Sequence, residues 1–303
     1  MSFGSHAYIP DPRNASVQFN VNGTLVPRDK AVVNVFDSGF MLGDGVWEGL
    51  RVQQGKIAFL QDHLDRLWEG AAALGFDIGI TQEQMRARLY ETLAANGMDE
   101  DVHIRLMVTR GLRSTPYQDP RVVISKATIV IAPEFKKADP KTAEKPLSLY
   151  TVSVRRGRSD VQDPGLNTHS KINCITACVQ AIEAGADEGL MLDPQGFVAT
   201  CNSTHFFIVR KGEVWTSSGD YCLGGITRQK IIDLCKANDI AVFEKNFSLM
   251  KCYSAEEAFT TGTFAGLAPV GKIDGRVIGS GKRGPMVERL QALYLKYIHA
   301  DTN

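Results

Sequence analysis

The feature that most constrains this chain is a break in its composition. Residues 134–146, EFKKADPKTAEKP, are charged and proline-bearing, with almost no apolar content. A stretch that can bury so little reads as a linker over 135–146. The chain is therefore expected to fold as a smaller unit over 1–134 and a larger one over 147–303. Of 303 residues, 44% are hydrophobic and 22% charged, enough apolar material for a core in each half. The 34 basic residues balance the 34 acidic ones, so no net field draws the chain to nucleic acid or an anionic membrane.

Local patterning predicts an α+β fold. VQFNVNGTLVP (Val17 to Pro27) alternates around Asn22-Gly23, a hairpin signal, and GLRVQQGKIAFL (Gly49 to Leu60) repeats it around Gln54-Gly55. Leu64, Leu67, Trp68, Ala71 and Leu74 fall at helical spacing. Thr81 followed by Gln84 predicts a capping box that opens a second helix ending near Gly97. VHIRLMVTRG and ATIVIAP read as strands. Beyond the break, strands are predicted at Leu147 to Val154, Glu188 to Leu192, His205 to Val209, Glu213 to Thr216 and Glu257 to Thr261. Helices are predicted after Lys171, from Gly225-Ile226, and from Pro285 to Ile298.

The opening residues lack the basic and apolar blocks of a secretory leader, and no apolar run reaches spanning length. Six cysteines, at 174, 178, 201, 222, 235 and 252, show neither CxxC spacing nor a His or Cys pair to complete a zinc site. They read as reduced thiols in a cytoplasmic protein that holds no metal. Arg155, Arg156 and Arg158 form a basic cluster suited only to a small anion.

Five motifs offer chemistry. In NTHSKINCITACVQAI, Lys171 is the one charge apart from His169, and it precedes an apolar run that reads as the start of a buried helix. A lysine in a partly desolvated pocket can act as an amine nucleophile and form a Schiff base. On position alone, a lysine with its head in water is the commoner case. LGGITRQKIIDLC places Gly225, Ile226 and Thr227 at a helix start, where free N–H groups and the helix dipole favour a phosphate. TTGTFAGLAPV offers Thr263 in a turn that suits an anion or is simply tight. HLDRL puts Arg66 on the polar side of a helix, solvated or gripping a phosphate. SGFMLGDGVWEGLRV joins a glycine-rich turn to Trp47, Gly49 and Arg51, either a pocket wall or a plain strand entry.

Taken in order, LGDGVWEGLRV, HLDRL, EAGADEGLMLD, LGGITR, EEAFTTGTFAGLAPV and IDGRVIGSGKRGP resemble the fold-type IV pyridoxal-phosphate enzymes. That group holds branched-chain and D-amino-acid aminotransferases, (R)-selective amine transaminases and aminodeoxychorismate lyase. The resemblance runs from about Val17 to Leu290. It implies a two-domain α+β fold of the D-amino-acid aminotransferase kind, a pyridoxal 5'-phosphate cofactor and a homodimer. It implies that Lys171 holds the cofactor as a Schiff base and shuttles a proton. Arg66, Gly225, Ile226, Thr227 and Thr263 would hold the phosphate, and Leu223 would pack on the pyridine ring. Trp47, Gly49, Arg51, His103, Arg105 and Met107 would line the substrate pocket with Phe264 and Ala265. Arg113 would either bind a substrate carboxylate from its loop or lie on the surface.

Two departures stand out. Relatives carry a glutamate facing the ring nitrogen where this chain has Thr200. A hydroxyl cannot supply the charge that raises the ring-nitrogen pKa, but it can donate a hydrogen bond to a neutral nitrogen. The stretch after Lys171 is also about one helical turn shorter than usual, with Asn173 or Cys174 where branched-chain enzymes place a tyrosine. The functional expectation is transamination between an amino acid or primary amine and a 2-oxo acid. A lyase or other carbanion chemistry on the same scaffold is the alternative, and a non-catalytic cofactor-binding protein is the third reading.

Overall fold

Strands β1 (Gln18–Val21) and β2 (Thr24–Pro27) meet at Asn22 and Gly23, whose φ angles of 53° and 90° are left-handed. That backbone matches the twist of the flanking strands. The computed structural model describes residues 4–302. The remaining elements of this first unit are α1 (Ser38–Leu42), β3 (Gly45–Gln53), β4 (Lys56–Ile57), α2 (Leu60–Ala73), α3 (Gln82–Ala95), β5 (Val102–Thr109) and β6 (Thr128–Phe135). The strands form an antiparallel sheet in the order β2-β1-β6-β5-β3-β4.

Strand alternation divides the sheet into two faces. Val46, Leu50 and Val52 of β3 join Ile104, Leu106 and Val108 of β5 and Ile129 and Ile131 of β6 in one core. Leu60, Leu64, Leu67 and Ala71 of α2 and Met85, Leu89 and Leu93 of α3 complete it. Each such Val, Leu, Ile or Met side chain contributes about 1.5–3 kcal/mol on burial. The opposite face carries Trp47, Gly49, Arg51, His103, Arg105 and Met107, all half-buried.

The second unit contains β7 (Leu147–Thr151), α4 (Ile172–Glu183), β8 (Glu188–Leu192), β9 (Val198–Cys201), β10 (His205–Arg210), β11 (Glu213–Thr216), α5 (Ile226–Ala237), β12 (Val242–Glu244), α6 (Leu249–Tyr253), β13 (Glu257–Gly262), β14 (Gly266–Ile273), β15 (Arg276–Val277) and α7 (Pro285–Thr302). Its mixed sheet runs β9-β8-β7-β14-β13-β10-β11-β12, with β15 beside β14. Leu149, Leu190, Phe206, Ile208, Ala268 and Ile273 lie in its core.

The division of the chain differs from a single cut. Residues 10–137 and 166–171 form the first unit, and residues 4–9, 138–165 and 172–300 form the second. The stretch expected to be a plain linker is structured. Phe135 ends β6 with its ring buried, and residues Pro140–Ala143 form a 3-10 turn capped by Asp139. Local polarity concealed this, because Asp139 and Pro140 are turn-forming rather than unstructured.

One further expectation fails, and one strand goes unread in the sequence, each for an identifiable reason. The helix after Lys171 is not buried all round: only Ala177 and Ala181 are, while Ile172, Ile175, Val179 and Ile182 form an exposed stripe. β14 escapes sequence reading because Pro269 interrupts it. β7 pairs with β14 only from Val270 onward, so Pro269 lies where the strand has one neighbour. Among the described residues, no helix is long and apolar enough to cross a membrane. All six cysteines are free thiols, and burial pushes Cys235 and Cys252 up to about 12.

Thr81 accepts from the Gln84 amide while the Gln84 side chain accepts from the Thr81 amide, closing the predicted capping box on α3. Thr81→Ala is expected to cost about 1 kcal/mol, read as a lower urea midpoint at unchanged slope.

Candidate functional site

Residues 166–171 lie along β3 as if they were a short extra strand. The Trp47 amide donates to the Asn167 carbonyl and the His169 amide to that of Gly45, each at 3.0 Å. The Trp47 indole donates to the Thr168 carbonyl at 2.9 Å, and the Asn167 side chain donates to the Trp47 carbonyl. Gly45 permits this approach, since a Cβ there would come within 2.9 Å of the His169 ring. His169 Nε2 lies 3.1 Å from the Val46 carbonyl. Burial, with Arg105 and Lys171 nearby, pulls its pKa down and keeps the imidazole neutral.

This pairing delivers Lys171. Its Nζ donates to the neutral amide oxygen of Asn167 at 3.0 Å and stands 5.2 Å from the centre of the Trp47 ring. The Arg105 guanidinium stacks on the same ring at 3.7 Å. Burial lowers the Arg105 pKa, while Glu134 and Glu48 act against that shift. An amine, an indole and a guanidinium thus converge beside the half-buried sheet face. Gly49, Arg51, His103 and Met107 share that face, as expected from the alternation.

Arg113 does not present a free fork. It is buried within its own loop, donating to Asp44 and to the carbonyls of Tyr117 and Asp119. Nor does Arg66 lie on a solvated helix face. Its Nε and Nη2 hold Glu48 at 2.8 and 2.6 Å, a bidentate pair on the core side of β3. His63, one turn earlier on α2, approaches the same carboxylate through Nδ1 at 2.6 Å. His63 Nε2 is buried without a hydrogen-bond partner among the described residues. Sequence reasoning missed Glu48 and His63, although His63 and Arg66 stand three apart on a helix and so share a face.

The second unit holds the other predicted residues. α5 begins at Ile226 with Gly225 as its N-cap, and no side chain caps it. Its first amides therefore lack intrahelical acceptors. A Cβ on Gly225 would stand 2.2 Å from His205 Nε2, so only glycine leaves the backbone exposed there. His205 pairs with Thr261 across β10 and β13, so both point to the same side. The Thr261 hydroxyl is buried with no partner among the described residues. Thr227 is buried, its hydroxyl 3.4 Å from that of Tyr294. Leu223 and Thr263 are half-buried in loops, Phe264 is buried and Ala265 half-buried in the turn before β14. An uncapped helix, a glycine cradle and an orphaned hydroxyl are what a phosphate would satisfy.

Thr200 is buried on β9, and its hydroxyl donates to the Thr204 carbonyl at 2.8 Å. Thr204 in turn donates to buried Glu188, which also accepts from Ser5. The expected donation from Thr200 to a ring nitrogen therefore requires the bond to Thr204 to break, because the hydroxyl has one proton. Asn173 and Cys174 both turn to the neighbouring loop: Asn173 donates to the Arg155 carbonyl, and Arg156 donates to Cys174 Sγ. The basic cluster is locally committed. Arg156 holds the Tyr221 carbonyl, and Arg158 pairs with Asp160.

The family described as amino-transferase class IV matches residues 45–273. The chain is 40% identical over 95% of its length to branched-chain-amino-acid aminotransferase-like protein 2 of Arabidopsis thaliana, and it spans about half of that relative's length (51%). It is 39% identical to a putative branched-chain-amino-acid aminotransferase of Methanocaldococcus jannaschii, over 89% of this chain and 93% of that one. A T.th. branched-chain amino acid aminotransferase solved with N-(5'-phosphopyridoxyl)-L-glutamate superposes with a TM-score of 0.86 at 28% identity, covering 94% of this chain and 95% of that one.

Burial alone would raise the Glu48 carboxyl, but the hydrogen bonds from His63 and Arg66 outweigh it and leave its pKa below the ordinary carboxylate value. With the folded pKa depressed, this stabilisation is complete above the unfolded carboxylate pKa and is lost as pH falls through the folded one. Glu48→Ala is expected to cost about 3–5 kcal/mol at neutral pH, because it strands buried Arg66 and His63. Urea midpoints followed into acid should converge for the two proteins, and parallel curves would contradict the assignment.

Proposed function

The chain belongs to the amino-transferase class IV family, and on that premise we propose that it moves an amino group from an amino acid or primary amine to a 2-oxo acid with pyridoxal 5'-phosphate as cofactor. Lys171 carries the reading: its amine is held by a neutral amide beside the indole and guanidinium of a half-buried sheet face. The names of the relatives support an amino-acid donor, and the phosphopyridoxyl compound in the solved neighbour supports the cofactor.

The residues present fit that cofactor. Lys171 would bind its aldehyde carbon, and the amides of Ile226 and Thr227, with Gly225 and Thr263, would bind its phosphate. Arg66 already gives two nitrogens to Glu48. When bound, the cofactor supplies a carbonyl that exchanges amines and a ring that withdraws electrons from the substrate carbon. Lys171 would supply the amine that meets the cofactor's carbonyl and, when free of it, a base for the proton on the substrate carbon. Arg105 binds a substrate carboxylate, and Trp47 shields the Lys171 amine from water. Leu223 would pack against the ring. Thr200, its proton committed to Thr204, leaves the ring without a carboxylate, so carbanionic chemistry is less assisted than in relatives with glutamate.

A second copy of this chain is the proposed partner. Each unit exposes an apolar patch: Ile172, Ile175, Val179 and Ile182 on α4, and Val32, Val35, Phe36 and Phe40 around α1. Contiguous apolar surface of this kind marks an interaction site. Sedimentation at micromolar concentration should give a dimer that Ile175→Asp weakens, and a monomer in the parent protein would exclude the assignment.

Borohydride reduction of cofactor-supplied protein, followed by peptide mass analysis, should place a pyridoxyl adduct on Lys171. Gly225→Ala should weaken loading about tenfold or more by closing the phosphate cradle. Amino-acid addition should then yield pyridoxamine phosphate without net elimination. Elimination products would favour a lyase, and an unmodified Lys171 would refute the reading.

A further inference from the structure

Arg88 of α3 and Lys126, two residues before β6, border a cavity of about 330 Å³ in the first unit. That volume falls within the roughly 300–1,000 Å³ of small-molecule sites. Ile78 and Ile80 line it from the loop between α2 and α3, Ile129 from β6 and Leu112 from the loop after β5. Ile129 belongs to the core side of the sheet, so the cavity lies on the side opposite the face that carries Trp47. Ile78 and Ile129 are buried, Arg88 is half-buried and Lys126 is exposed. The apolar residues therefore make the floor and the cations the rim.

Local geometry sets both cations at this rim. Arg88 makes no ion pair with Glu91, one helical turn along α3; its guanidinium lies over the Asn22-Gly23 turn, with Cζ 3.4 Å from where a Gly23 Cβ would stand. Gly111 admits the Lys126 backbone, since a Cβ there would stand 2.3 Å from the Lys126 carbonyl. The Ser125 hydroxyl ties the same approach, accepting from the Leu112 amide at 2.8 Å and donating to the Lys126 carbonyl at 2.7 Å. Among the described residues, neither the Arg88 guanidinium nor the Lys126 ammonium has an ion pair or a hydrogen bond. Asn22 is fixed on Ile129: its amide donates to the Ile129 carbonyl and its side-chain oxygen accepts from the Ile129 amide, each at 2.8 Å. Its Nδ2 has no acceptor among the described residues and is a third donor. No carboxylate lines the cavity, and Asp77, two residues before Gly79, is turned to the Gly79 amide at 2.8 Å.

We propose that this cavity is a binding site for a small amphipathic carboxylate, in which Arg88, Lys126 and Asn22 Nδ2 hold the carboxylate and Ile78, Ile80 and Ile129 seat the apolar body. Two cations with no carboxylate between them select an anion. The planar guanidinium matches the two oxygens of a carboxylate. The apolar floor disfavours an anion that is hydrated on every side, such as inorganic phosphate. Arg88 outweighs Lys126, because the exposed ammonium is screened by water and salt. The site does not depend on the reading of Lys171.

The test titrates cofactor-supplied protein with benzoate, benzyl alcohol, benzylammonium and inorganic phosphate, followed by calorimetry and by isoleucine methyl NMR. Benzoate should shift the methyl signals of Ile78, Ile80 and Ile129 and bind about tenfold more tightly than benzyl alcohol or phosphate. Benzylammonium should leave those signals in place. Arg88→Gln should weaken benzoate about tenfold and Lys126→Gln about threefold. The ligand-free methyl spectrum of each variant reports that it has folded. Benzoate that leaves those methyls unmoved, or moves only other isoleucines, would overturn the proposal. So would equal affinity for benzyl alcohol or phosphate, or benzoate affinity that survives Arg88→Gln. An unmodified Lys171 after borohydride reduction would refute the functional reading and leave this result standing, because the readout is binding and not turnover.

Discussion

The whole arrangement depends on one strip of backbone pairing. Residues 166–171 leave the second half of the sequence to lie along β3, tied by the Trp47 and His169 amides. Without those bonds Lys171 would be the first residue of a helix facing water, the commoner fate of a lysine in that sequence position. With them its amine lies over an indole next to a stacked guanidinium. The glycine at 45 and the indole N–H of Trp47 both serve the same contact. One strand therefore supplies the indole beside Lys171 and the clamp that positions that lysine.

The two faces of that strand treat charge in opposite ways. On the core side, Glu48 is buried with an imidazole and a bidentate arginine, and its hydrogen bonds outweigh the cost of desolvation. On the other side, Arg105 keeps a charge that no carboxylate among the described residues neutralises by direct contact. A buried pair closed on itself stabilises a fold but binds nothing. A guanidinium held by stacking alone retains donors for a ligand. The period of two along a strand separates the buried charge at Glu48 from the half-buried face at Trp47 and Gly49.

Much of the fold was legible because its signals are local. Asn22-Gly23, the Thr81 capping box and the helix start at Ile226 depend on backbone preferences that a few neighbouring residues set. The failures share a different cause. β14 contains a proline that is tolerated because its neighbour strand starts later. α4 reads as a buried helix because sequence reports apolar content and not what covers it. The polar stretch at 135–146 reads as linker although its aspartate and proline build a capped turn. Each depends on partners distant in sequence or on packing, which no local window contains.

The sequence by itself determined the family and the glycine-led helix start, because those rest on residue types in a fixed order. It also determined which side chains of β3 and β5 share a face, since alternation is a property of the chain. Only the tertiary structure decided what each charged group does. It committed Arg66 to Glu48, enclosed Arg113 in its own loop, turned the Thr200 proton to a carbonyl and left Arg105 stacked on an indole. The physical reason is that a side chain's chemistry is fixed by its composition, whereas its partners, and therefore its charge and its availability, are fixed by which distant segments the fold brings within hydrogen-bonding distance.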